Sequence, residues 1–137
     1  MSGPGVVSRH VSVVIATSPD AVYDFAADPE NLPRWAAGLA RADVKVRGDE
    51  LVAQSPMGEV TVRFVPRNPY GVLDHAVTLP SGTTVDNPLR VVAHPDGAEV
   101  VFTVRQIELT DDEFARDCRL VEEDLERLRR ILEGGRP

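Results

Sequence analysis

A chain of 137 residues with 42 % apolar side chains is long and apolar enough to bury a core, which excludes disorder throughout. Its 15 basic and 22 acidic side chains leave a net charge of −7, which is repelled by phosphate backbones and by anionic lipid surfaces. General nucleic-acid binding and membrane docking are therefore excluded from the expected functions.

The first strand is predicted over residues 9–16, where Val11, Val13 and Ile15 alternate with Ser12, Val14 and Ala16. A helix start follows at once. Ser18 suits the N-cap and Pro19 the first helical position, which turns Val22 and Phe25 inward and leaves Asp20 and Asp24 in water. Residues 29–38 read as a second short helix; Pro33 forbids a long regular one and Gly38 can end it.

Residues 42–107 read as a β region. Turn signals at Gly48-Asp49, Pro56-Met57-Gly58, residues 66–71, Pro80-Ser81-Gly82 and Pro95-Asp96-Gly97 divide it into six segments. The short connections favour an antiparallel meander. Pro88 lies inside the fifth segment, where a missing N–H predicts a bulge or edge and a bent strand.

The last element is a long helix. Thr110 and Glu113 are spaced as a capping box, with Leu109 and Phe114 placed as a hydrophobic staple. Phe114, Cys118, Val121, Leu125, Leu128 and Leu132 then form one apolar stripe. Over residues 111–133 the helix spans roughly 35 Å at 1.5 Å per residue. Glu123–Arg127 and Glu126–Arg130 are spaced as i,i+4 ion pairs, and Gly134-Gly135 stops the helix. The whole reads as one α+β domain over residues 1–137, with 1–7 and 134–137 as tails. It is a seven-stranded curved antiparallel sheet, with two short helices after strand 1 and the long helix over the concave face.

The order of elements and several local sequences resemble the START/Bet v 1 (SRPBCC) superfamily. The stretches that carry the likeness are residues 16–25 (ATSPDAVYDF), 28–35 (DPENLPRW), 71–75 (GVLDH) and 110–114 (TDDEF). The chain is most similar to small bacterial members labelled polyketide cyclase/dehydrase-like or lipid-transport-like. That resemblance implies a helix-grip fold with an internal cavity. It leaves function open, because the superfamily includes carriers, cyclases, hormone receptors and chaperone activators.

Strand parity sorts the β region further. If the long helix covers the more apolar side, the inward sets are Val60-Val62-Phe64, Leu73-His75-Val77-Leu79, Leu89-Val91-Ala93 and Val100-Phe102-Val104. Arg63, Asp74, Arg90 and Arg105 then face outward. The outward sets also hold Val65, Val72, Val92 and Val101, an apolar content that fits coverage by a second subunit in a homodimer.

His75 stands out as a polar ring on an apolar face, suited to orienting a ligand or to acid/base catalysis. The plainer alternative is a core histidine satisfied by backbone or by Tyr23. Asp74 cannot join it in a dyad, since neighbours on a strand point to opposite faces. Asn87 or Asp86 could reach the cavity near Pro88. Trp35 is read either as lining the cavity mouth or as plugging the core, and Phe64, Phe102, Phe114 and Val121 equally as core or as cavity wall. Val77 belongs to the same wall by parity. Cys118 falls on the buried stripe and is read as a small hydrophobe.

His10, His75 and His94 show no metal spacing, and no motif for a metal, a cofactor or a nucleophile is present. With one cysteine, no charged and apolar leader and no apolar run near ~20 residues, a cytoplasmic protein is expected. The leading expectation is binding or transport of a small hydrophobic molecule, polyketide- or lipid-like, in an internal cavity. The alternatives are a cyclase/dehydratase using His75 as acid/base, and a ligand-free protein-interaction module.

Overall fold

The computed structural model describes residues 6–36, 43–48, 50–55 and 58–134; the turn signals at Asp49 and Pro56-Met57 and the stop signals at Gly38 and Gly135 lie outside these. The elements run β1 (Ser8–Ile15), α1 (Pro19–Ala27), α2 (Leu32–Trp35), β2 (Asp43–Arg47), β3 (Glu50–Ser55), β4 (Gly58–Phe64), β5 (His75–Thr78), β6 (Thr84–Asn87), β7 (Leu89–His94), β8 (Gly97–Arg105) and α3 (Asp111–Gly134). The order is the one expected for the helix-grip fold.

The strand count differs from the expected seven in one sheet. The described strands number eight and form two antiparallel sheets, ordered β1-β8-β7 and β2-β3-β4-β5-β6. Pro88 is the reason. It has no N–H to give to a ladder, so the predicted fifth segment breaks into β6 and β7 on either side of it. Its carbonyl still accepts from Thr103 N at 2.9 Å. The two sheets are joined at the corner this creates. While β5 pairs with β4 and β6, the residues just before it pair with β7 through a Val72–Arg90 bridge. Leu73 N donates to Leu89 O at 2.8 Å and Val91 N to Gly71 O at 2.9 Å.

The helix signals act as the residues dictate. Ser18 Oγ accepts from Ala21 N at 3.1 Å with Pro19 in the first turn. Thr110 and Glu113 close a reciprocal capping box, with Glu113 N to Thr110 Oγ1 at 3.2 Å and Thr110 N to Glu113 Oε1 at 2.8 Å. On α3, Phe114, Cys118, Leu125 and Leu128 are buried and Val121 and Leu132 partly so. The helix packs chiefly on β1 and β8. Each fully buried leucine there contributes about 2 kcal/mol of transfer free energy. Along the helix Arg127 pairs with Asp124 at 3.0 Å rather than with Glu123, one turn being closed at i,i+3. The Glu126–Arg130 pair forms at 3.4 Å, with Arg129 sharing the same carboxylate.

Parity holds for most of the inner face: Val62, Leu73, Leu89, Val91, Val100 and Val104 are buried, while Arg63 and Arg90 are exposed. Two positions depart from it. Ala93 is exposed, because it sits near the tip of β7, the end strand of its sheet. Thr103, in the outward set, is buried and shares a hydrogen bond of 2.9 Å with His10 Nδ1.

Candidate functional site

The long helix is anchored at one side of the molecule. It rests on β1 and β8, and Arg127 Nη1 ties it to α2 through Trp35 O at 2.8 Å. β5 and β6 lie beyond that contact. Between them and the helix is a cleft of about 720 Å³, within the ~300–1,000 Å³ usual for small-molecule sites. Its sheet side is made by Val77 and Leu79, by Val85 and Asn87 of β6, and by Phe102 and Val104 of β8. Leu120 and Val121 form the helix side, and Ile107 and Leu109 close one end. Charged side chains ring the opening. A smaller hollow of about 400 Å³ on the helix is lined by charged residues alone and offers no apolar floor.

Of the residues expected on the wall, Val77, Asn87, Phe102 and Val121 line this cleft. Phe114, Cys118 and Trp35 are in the core cluster beside it. Trp35 is 4 % exposed, and its Nε1 has no hydrogen-bond partner among the described residues. Such an unpaired buried donor costs about 1–3 kcal/mol.

His75 lies directly behind the wall. It stands opposite Asn87 in the β5–β6 register. Its ring stacks on Phe64 with centroids 4.7 Å apart and meets the edge of Phe102 at 5.6 Å. Nδ1 is 3.0 Å from Leu73 O. A carbonyl only accepts, so Nδ1 carries the proton and Nε2 is left as the acceptor. Burial pushes the pKa of the ring below its ordinary value, against the smaller opposing effects of Leu73 O and Asp74. The imidazole is therefore neutral at pH 7.

The adjacent carboxylate turns the other way. Asp74 accepts from Arg90 and from Leu89 N, and Asp74 and His75 share no hydrogen bond. Tyr23 does not satisfy the histidine either; its hydroxyl accepts from Asn68 N at 3.0 Å. Asp86 is exposed, and its carbonyl accepts from Arg105 Nη1 at 3.1 Å.

The apolar stripe of α3 does not point to the polar helix residues of the cleft. Glu113, Asp117, Leu120, Asp124 and Arg127 repeat at spacings of three and four, alongside the apolar stripe. That second stripe is the signal in the sequence that marks the rim. Among the described residues no three His, Cys, Asp or Glu side chains converge for a metal ion. No described helix is long and apolar enough to cross a membrane.

Comparison with known proteins agrees with this architecture. The sequence model of the family described as polyketide cyclase/dehydrase and lipid transport matches residues 7–133. None of the curated proteins matches the chain in sequence. Solved structures that do resemble it include the Aha1 dimer from Colwellia psychrerythraea, with a TM-score of 0.71 and 20 % identity over 96 % of this chain and 99 % of that one. DynU16, from the dynemicin biosynthetic locus, gives 0.72 at 15 % identity over 95 % of this chain and 48 % of its own. Protein CV1439 from Chromobacterium violaceum gives 0.66 at 15 % identity over 92 % and 97 %. At these identities the likeness is one of fold.

Proposed function

The chain belongs to the polyketide cyclase/dehydrase and lipid transport family, and from that premise we propose that it binds or carries a small hydrophobic ligand, polyketide- or lipid-like, in the cleft between α3 and the β5–β6 hairpin. One observation carries the reading: a space of about 720 Å³ whose inner wall is Val77, Val85, Phe102, Val104 and Val121. Apolar burial supplies affinity there at about 25 cal/mol per Å² removed from water. Asn87 is the polar group on that wall, placed to orient a ligand carbonyl or hydroxyl. Native mass spectrometry of freshly purified protein, with displacement of a bound fluorescent probe, tests this. A co-purifying ligand or saturable displacement is expected; the absence of both rejects it.

A second reading rests on His75. A neutral imidazole whose Nε2 is the acceptor stands one ring behind the wall at Phe102, so a turn of the Phe102 side chain would bring it within reach of a chain held folded in the cleft as a single acid/base group. In that case the protein is a cyclase or dehydratase. Turnover of a model polyketone that is lost in His75→Ala while binding is kept supports it. Equal turnover in both proteins rejects it.

A further inference from the structure

Building on the cleft as a ligand site, we propose that it accepts amphiphiles with a neutral or cationic head group and rejects free carboxylates. The charges at the opening carry this. Glu108, Glu113, Asp117, Glu123 and Asp124 line it, against Arg105, Arg116 and Arg127. Five carboxylates against three guanidiniums leave the opening net negative, and two of the guanidiniums are held in place by acceptors, of which only Asp124 is an anion. Arg105 Nη1 donates to the Asp86 carbonyl at 3.1 Å. Arg127 Nη1 donates to Trp35 O at 2.8 Å and to Asp124 at 3.0 Å.

Glu108 is held by the hydroxyls of Ser81 and Thr83, and Glu113 by its capping bond to Thr110 N; neither contact neutralises a carboxylate. Partial removal from water pushes the Asp117 pKa up; the charge of Arg116 opposes this and that of Glu113 adds to it. A ligand cation beside it replaces the lost hydration, whereas a ligand carboxylate adds a like charge. The apolar wall behind takes the chain, so the head is left at the rim, within one Debye length of these acids.

The test uses three ligands with one chain and different heads: dodecyltrimethylammonium, dodecanol and dodecanoate. Each competes with the neutral dye N-phenylnaphthylamine at near-neutral pH and low salt, below micelle formation. The ammonium and the alcohol are expected to displace the dye at least about tenfold more effectively than the carboxylate, with the gap shrinking as salt is added. The double variant Asp117→Asn, Glu123→Gln narrows the ammonium–carboxylate gap. Glu122→Gln, which removes a charge of the same helix that does not line the cleft, leaves it in place. A carboxylate bound as well as the ammonium overturns the proposal and leaves the ligand site standing. So does a gap that Glu122→Gln changes as much as the double variant does. Failure of the dye and of all three ligands to bind removes the ligand site itself.

Discussion

Asp74 holds Arg90 with both carboxylate oxygens, Oδ1 accepting from Nε at 3.1 Å and Oδ2 from Nη2 at 2.7 Å. Leu89 N adds a third bond to Oδ1 at 2.9 Å, so one side chain joins the start of β5 to β7 at the corner between the sheets. The Arg90 guanidinium holds the Asp74 carboxyl below its ordinary value. Because the pair is half exposed, screening limits its worth, and Asp74→Asn is expected to cost about 1 kcal/mol. A depressed folded pKa gives stability that is present above the ordinary value and lost as pH falls through the folded one. The urea-midpoint gap between wild type and variant should therefore be full at pH 7 and close well below pH 3.8. A constant gap across that range refutes the assignment.

His75 predicts a second pH dependence in a different window. Burial lowers its folded pKa, so the unfolded chain takes up the proton first as the pH drops. Its contribution is present above pH 6.5 and lost as the pH falls below that value. His75→Phe keeps a ring between Phe64 and Phe102 and removes the titration. Denaturation midpoints measured from pH 8 downward should fall more steeply for the wild type than for the variant once the pH is below 6.5. Parallel curves would show that His75 is not buried in its neutral form.

Local chemistry was legible in the sequence, and distances between elements were not. The Ser18 cap, the Thr110–Glu113 box and the α3 stripe depend on neighbours a few residues apart, and all three form. Pro88 announced a disruption, but whether a strand bends or divides depends on which partners lie across from it; here Leu73 and Thr103 do. The opposite faces of Asp74 and His75 follow from the pleat alone. What parity could not give is how far α3 stands from each strand. Phe102 and Phe64 share a parity class, yet Phe102 reaches the cleft while Phe64 stacks behind on His75. The position of the helix, fixed by β1, β8 and the Arg127–Trp35 link, makes that distinction.

Gly71 gives a direct test of the sheet junction. Its φ of 72° lies in the left-handed region, and a Cβ there would meet Val91 O at 2.2 Å. Both the strain and the clash fall on the backbone that links the two sheets, where Gly71 O accepts from Val91 N. Gly71→Ala is expected to lose about 2 kcal/mol or more of stability in urea unfolding. A loss no larger than that of an ordinary surface substitution would mean that the corner does not depend on this approach.

Glu108 fastens the rim. It is the non-glycine residue with positive φ among the described residues, at 59°, and its carboxylate accepts from Ser81 and Thr83 at the β5–β6 turn. A residue kept in the left-handed region costs on the order of 1 kcal/mol, so the contacts that hold it there are structurally significant. The double variant Ser81→Ala, Thr83→Val removes both donors without changing charge. It should speed dissociation of a neutral dye from the cleft several-fold in stopped-flow measurements. An unchanged off-rate would separate the latch from ligand exit.

Val121 decides whether the cleft is where ligands sit. It is partly buried, lines the cleft from α3, and belongs to the same helix face as the buried Cys118 and Leu125. Replacing it with tryptophan projects a large ring into open space rather than into a packed wall, so the overpacking cost of about 1–3 kcal/mol seen in filled cores should not appear in full. The substitution takes up volume that the ligand needs. Val121→Trp should lower affinity for a hydrophobic probe by at least about tenfold, since losing a few buried methylenes at ~0.8 kcal/mol each already reaches that factor. Cys118→Trp, aimed into the fully buried core instead, should destabilise the fold. A Val121→Trp protein that folds normally and still binds the probe at full strength would place the ligand elsewhere in the molecule.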